Sequence, residues 1–61
     1  LVPTLFICGE FDPAANADYI RPMQQAVSGA ELHVVPNAGH ISNMENPQSF
    51  NEGLTGFLDR L

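Results

Sequence analysis

Sixty-one residues allow one small folding unit at most, and a chain of that length buries only about 60% of its unfolded surface. A hydrophobic share of 44% places it among globular rather than disordered chains. Seven acidic residues against two arginines give a formal net charge of −5. That balance leaves no basic patch to hold phosphates, which sets aside nucleic acid and anionic membrane surfaces as partners.

The single cysteine excludes an internal disulfide, and its place inside an apolar run predicts a buried free thiol. No apolar run approaches the roughly 18 residues of a membrane span, and no basic segment precedes a signal-like core. The expected location is therefore the cytoplasm. The chain opens on Leu1-Val2-Pro3, at the lip of a strand and without a start methionine. It reads as the carboxyl-terminal piece of a longer protein.

Residues 4–8, Thr-Leu-Phe-Ile-Cys, form a continuous apolar run between Pro3 and Gly9. Continuity rather than alternation predicts a strand covered on both faces, as in parallel sheets. Residues 9–16 are turn material, with Gly9, Asp12, Pro13 and Asn16. A helix is predicted to start with Asn16 as N-cap and Asp18 in its first turn, where a carboxylate suits the helix dipole. Ile20, Met23 and Val27 are its apolar positions. Pro22 either kinks this helix or opens a shorter one running to about Val27, and Ser28-Gly29 ends it.

Residues 31–36 predict the second strand, Glu31-Leu32-His33-Val34-Val35 stopped by Pro36, and residues 37–45 a loop. Asn46 as N-cap with Pro47 at the first helical position announces a final helix. Its apolar stripe is Phe50, Leu54, Phe57, Leu58 and Leu61, with Gly53 and Gly56 each weakening it by about 1 kcal/mol relative to alanine. The order strand, helix, strand, helix predicts a βαβα unit with parallel strands. Two such strands need further strands beside them, so the rest of the longer chain is an expected structural partner.

Two residues then stand out. Asp12 and His40 each lie just past the carboxyl end of a strand, where function sits in open α/β sheets. Adjacent parallel strands bring those ends to roughly 5 Å of one another. A carboxylate that accepts the N–H of one ring nitrogen fixes the tautomer and leaves the other nitrogen free to take a proton from a nucleophile. His40 therefore reads as a catalytic base and Asp12 as the acid that orients it.

These stretches resemble the α/β-hydrolase fold superfamily. Val2-Pro3-Thr4-Leu5-Phe6-Ile7-Cys8-Gly9-Glu10-Phe11-Asp12 is similar to its "VPTLxIxGxxD" strand and acid turn. Ala30-Glu31-Leu32-His33-Val34-Val35-Pro36-Asn37-Ala38-Gly39-His40 is similar to its "GAxLxVxxxxGH" strand and histidine loop. Glu45-Asn46-Pro47-Gln48-Ser49-Phe50-Asn51 resembles its "ExPxxFN" entrance to the last helix, and the spacing from position 12 to position 40 is of the family's usual size.

The resemblance covers essentially the whole chain, as the last two strands and helices of a doubly wound, mostly parallel sheet. It implies that Asp12 and His40 are the triad acid and base. The implied nucleophile, in a G-x-S-x-G elbow, would lie upstream of Leu1, together with the oxyanion hole. The implied function is hydrolysis of an ester, lactone or amide in a small-molecule substrate. Gly9-Glu10-Phe11-Asp12 is similar to the proline iminopeptidase branch, and Gly39-His40-Ile41-Ser42-Asn43-Met44-Glu45 to enol-lactonase and esterase relatives. The alternative is a hydrolase-fold scaffold or ligand receptor without turnover.

The remaining candidates carry blander readings. Ser28, Ser42 and Ser49 lack the surroundings of a nucleophile elbow, though Ser42 is near enough to His40 to touch the site. Glu45 fits a loop-ordering or capping role, and His33, inside the second strand, a structural one. Cys8, His33, Asp12 and His40 contain no tight metal-ligand pair, and Gly9, Gly29 and Gly39 form no G-x-G-x-x-G. No metal and no cofactor is expected, and a Rossmann-like or flavodoxin-like piece would need a phosphate loop that this sequence lacks.

Overall fold

The computed structural model describes residues 2–61; Leu1, the opening residue noted above, lies outside them. Five elements follow one another: β1 (Leu5–Gly9), α1 (Ala17–Ala26), β2 (Glu31–Val35), α2 (Ser42–Glu45) and α3 (Pro47–Asp59). The expected βαβα order is present, with one extra helical turn, α2, inside the predicted loop 37–45.

The two strands pair in parallel, in a register running from Leu5 opposite Glu31 to Gly9 opposite Val35. Both α1 and α3 pack against both strands. Burial deepens toward the carboxyl ends: Leu5, Phe6 and Ile7 are half-buried, whereas Cys8, Gly9 and Val35 are buried. Among the described residues the buried apolar side chains are Cys8, Val35 and Ala38. The core thus lies directly beneath the loops that carry Asp12 and His40.

Helix α1 begins where its cap predicts. The Asn16 side chain accepts the N–H of Tyr19 at 3.1 Å, satisfying one of the orphan donors of the first turn. The helix runs from Ala17 through Pro22, so the shorter helix opening at Pro22 is not the one formed. An interior proline removes a hydrogen bond and costs about 3 kcal/mol, a cost set here against packing on the sheet. Ile20 is half-buried, but Met23 and Val27 remain exposed.

Helix α3 starts at Pro47 behind Asn46, whose side chain accepts the N–H of Ser49 at 3.3 Å and donates to the Pro36 carbonyl at 2.8 Å. One side chain therefore caps the helix and ties it to the end of β2. The predicted stripe packs only in part: Phe50, Leu54 and Phe57 are half-buried, while Leu58 and Leu61 are exposed. Gly53 is more than a weak helix former, because His33 of β2 lies against it. A β-carbon at position 53 would stand 2.5 Å from the ring carbon Cγ and 2.7 Å from Nε2. The same ring nitrogen is 2.9 Å from the Ser49 carbonyl oxygen, so His33 fastens β2 to α3.

The additional turn α2 forms because the Ile41 carbonyl accepts the N–H groups of Met44 and Glu45, at 3.1 and 3.0 Å. Four residues hold no apolar periodicity from which a helix can be read. Among the described residues no helix is long and apolar enough to cross a membrane.

Candidate active site

The loop after β1 and the loop after β2 are stitched together by their backbones. The N–H of Glu10 donates to the Val35 carbonyl at 2.9 Å, and that of Phe11 to the Ala38 carbonyl at 2.8 Å. Parallel pairing is therefore extended beyond the strand ends, with Gly9 making the close crossing possible. Asn37 supports the turn at φ 56°, a left-handed conformation that asparagine tolerates better than most residues. Its N–H donates to the Glu10 carboxylate at 3.0 Å.

This stitching brings together the two residues singled out from the sequence. His40 Nδ1 lies 2.9 Å from Asp12 Oδ2. A carboxylate can only accept, so Nδ1 carries the proton and Nε2 presents its lone pair. The two groups differ sharply in exposure: the Asp12 side chain is 4% accessible and that of His40 77%. The acid is thus fixed below while the imidazole stands above it. Among the described residues, Nε2 makes no further hydrogen bond.

Asp12 is held independently of the histidine. Its Oδ1 accepts the N–H groups of Ala14 at 2.8 Å and Ala15 at 3.0 Å. These bonds from Ala15 and Ala14, followed by the one from His40, bring the carboxyl from its ordinary 3.8 down to about 2. It is consequently ionised at any ordinary working pH. One oxygen anchors it to the turn and the other orients the ring.

Glu45 lies at the end of α2 and accepts the N–H of Gly39 at 3.1 Å and that of Ile41 at 3.2 Å. It orders the loop, as its place before the helix cap implies. The contribution of Glu10 to the same loop is not signalled by any motif; it depends on two loops meeting in space. Ser42 is buried as the first residue of α2, and among the described residues it makes no hydrogen bond to Asp12 or His40. His33 is turned to α3, away from this pair's chemistry. Burial, then the nearby Asp12 charge, push the Cys8 thiol up, which suits an inert side chain. Among the described residues no three His, Cys, Asp or Glu side chains gather as a metal site.

The arrangement can accept a proton at Nε2 while Asp12 balances the imidazolium that forms. Over 59 residues the chain is 37% identical to epoxide hydrolase 3 of Xenopus tropicalis, covering 95% of this chain and 16% of that protein. Over 57 residues it is 35% identical to 3-oxoadipate enol-lactonase 1 of Acinetobacter baylyi, covering 93% of this chain and 21% of the enzyme. In structure it is similar to a thermophilic esterase from Thermogutta terrifontis, solved with malate bound. The TM-score is 0.92 at 27% identity, over 98% of this chain and 22% of the esterase. The chain thus spans about a fifth of the length of these proteins. The alpha/beta hydrolase fold family matches residues 1–47, and with strand pairing, loop placement and relatives in agreement, the chain belongs to the α/β-hydrolase fold family.

Proposed function

We propose that this chain supplies the base and the orienting acid of a hydrolase acting on an ester, lactone or amide in a small-molecule substrate. In this reading it forms the last two strands and the last long helices of a larger sheet, and the nucleophile lies upstream in the same protein. The observation that carries the reading is the 2.9 Å contact between His40 Nδ1 and a carboxylate already anchored by two backbone N–H groups. His40 Nε2 would take the proton of the nucleophile as it attacks the carbonyl carbon, then return it to the leaving group. Asp12 would stay ionised throughout and stabilise the imidazolium.

The identity of the nucleophile divides two reactions. A serine elbow gives acyl transfer to water. An aspartate elbow gives an alkyl-enzyme ester and ring opening of an epoxide, a reading favoured by the similarity to an epoxide hydrolase. Asp12 and His40 would serve either one, since each needs a base for its hydrolytic step.

The test is the full-length protein with His40→Ala. Turnover of an activated ester or an epoxide should be nearly abolished. Retention of more than about a tenth of wild-type activity removes this histidine from the mechanism. The upstream sequence offers a second check: a strand running into G-x-S-x-G or its aspartate counterpart, then a helix. Without any such elbow, the non-catalytic scaffold or receptor reading takes over.

A further inference from the structure

The loop that presents His40 is gripped by a second carboxylate, separate from Asp12. Glu45 Oε1 accepts the N–H of Gly39 at 3.1 Å, and its Oε2 accepts that of Ile41 at 3.2 Å. These are the residues on either side of His40, so a single planar group fixes both peptide flanks of the histidine. The approach is close. A β-carbon at Gly39 would lie 3.2 Å from one carboxylate oxygen and 3.3 Å from the other, tighter than ordinary van der Waals contact. Glu45 is itself held at the end of α2 by its N–H bond to the Ile41 carbonyl, at 3.0 Å. The next residue, Asn46, pins the Pro36 carbonyl at the start of the same loop.

We propose that Glu45 is a positioning residue for His40, setting the imidazole against Asp12 and against the nucleophile by holding the Gly39 and Ile41 N–H groups. This rests on reading His40 as the base. Removing Glu45 leaves the Gly39 and Ile41 N–H groups without their acceptor. Both N–H groups lie at the exposed side of the loop, so water can replace the carboxylate and the fold loses little. The torsions on either side of His40, however, are then freed. Proton transfer depends steeply on geometry, and a displacement of about 1 Å can cost about 10²-fold in rate. The loss therefore falls on the rate rather than on stability.

The experiment compares Glu45→Ala and Glu45→Gln in the full-length protein, each alone and combined with His40→Ala. The measurements are kcat and KM on p-nitrophenyl acetate and a crystal structure of each single variant. Glu45→Ala should lower kcat by about 10–100-fold with KM within about twofold. Glu45→Gln, of the same shape but with one accepting oxygen, should fall between it and wild type. In the His40→Ala background Glu45→Ala should cost nothing further, because its effect passes through the ring.

Three results would overturn the proposal. These are an unchanged kcat, an equal loss in both backgrounds, or a crystallographic Nδ1–Oδ2 contact in the variants within about 0.5 Å of wild type. Should His40→Ala retain full turnover, the reading of His40 as base fails instead, and the crystallographic contact still decides whether Glu45 places the ring. Should Glu45→Ala not fold, Glu45→Gln carries the same comparison.

Discussion

Gly9 passes so close to Gly39 that a β-carbon on it would overlap the Gly39 carbonyl oxygen, and would stand 2.5 Å from the Ala38 carbonyl oxygen. The obstacles are backbone atoms, which cannot swing away as a side chain can. This crossing is what allows the acid loop and the histidine loop to share hydrogen bonds. Gly9→Ala should therefore separate the two loops and cost about 1–3 kcal/mol. In the full-length protein, thermal melting and activity should fall together. A variant that kept both would show that the loops can part without losing the Asp12–His40 contact.

Asp12→Asn separates orientation from anchoring. The asparagine oxygen can still accept the N–H groups of Ala14 and Ala15, so the turn and the fold should survive. Its amide nitrogen would face His40 Nδ1 and donate, moving the ring proton to the wrong nitrogen. A loss on the order of 10⁴-fold in kcat is expected with the fold retained, and the melting temperature at neutral pH should fall, because the amide oxygen accepts the Ala14 and Ala15 N–H groups without the carboxylate's charge. If activity dropped less than about tenfold, the carboxylate would not be controlling the tautomer.

The Asp12 carboxyl also links stability to pH. Its folded value, about 2, lies below the ordinary 3.8, chiefly through the bonds from Ala15 and Ala14 and then that from His40. Such a group contributes stability that is fully present above about pH 4 and is lost as pH falls through its folded value. Denaturant unfolding of the full-length protein between about pH 4 and 2 should therefore show a steeper loss for wild type than for Asp12→Asn. Parallel curves would mean that the carboxyl is equally free in the folded and unfolded states.

What the sequence conveys and what it hides divide along the range of the interactions. Both strands, the Asn16 and Asn46 caps, and the pairing of Asp12 with His40 follow from short-range signals and the parallel geometry. The turn α2 does not, because a single turn sustained by the Ile41 carbonyl has no periodicity. Gly53 reads as a mere weakness in α3 until His33 is seen lying on it, a contact between residues far apart in the chain. The exposure of Leu58 and Leu61 is hidden for the opposite reason: an apolar stripe says which face wants cover, not whether cover is present. Glu10 escapes any motif, since it serves a loop that meets its own only in space, whereas the loop-ordering role of Glu45 is legible from its place just before the helix cap.

The His33–Gly53 contact sets two effects against each other. Alanine at position 53 gains about 1 kcal/mol of helix propensity, but its methyl group would displace the ring and break the Ser49 contact, an overpacking cost of about 1–3 kcal/mol. The second effect should win, so Gly53→Ala is expected to destabilise the full-length protein. In a His33→Ala background the obstacle is gone and the same change should stabilise. A double-mutant cycle by chemical denaturation measures the sign reversal. Two effects of the same sign in both backgrounds would show that His33 is not what keeps position 53 a glycine. His33→Gln, by contrast, should leave turnover nearly unchanged, because the ring faces α3 and not the acid–base pair.

The sixty-one residues on their own should not hold this fold. Two parallel strands leave edge N–H and C=O groups without ladder partners, and a sheet generally needs three or more strands for independent stability. The shortest dimension is only 12 Å, about one sheet-to-sheet spacing, which leaves room to enclose very few side chains. Val35 is accordingly the one large side chain fully buried among the described residues, while Val2, Phe11, Tyr19, Ile41 and Met44 stand more than half exposed. Burying a side chain of this kind is worth about 1.5–3 kcal/mol, and ordering each residue's backbone costs about 1–2 kcal/mol, so so few buried groups cannot hold the fold. The isolated chain should show no cooperative thermal transition, should bind a dye that reports exposed apolar surface, and should lack hydrolytic activity. A single cooperative transition from a monomer in analytical ultracentrifugation would sink this expectation, and with it the need for further strands beside β1.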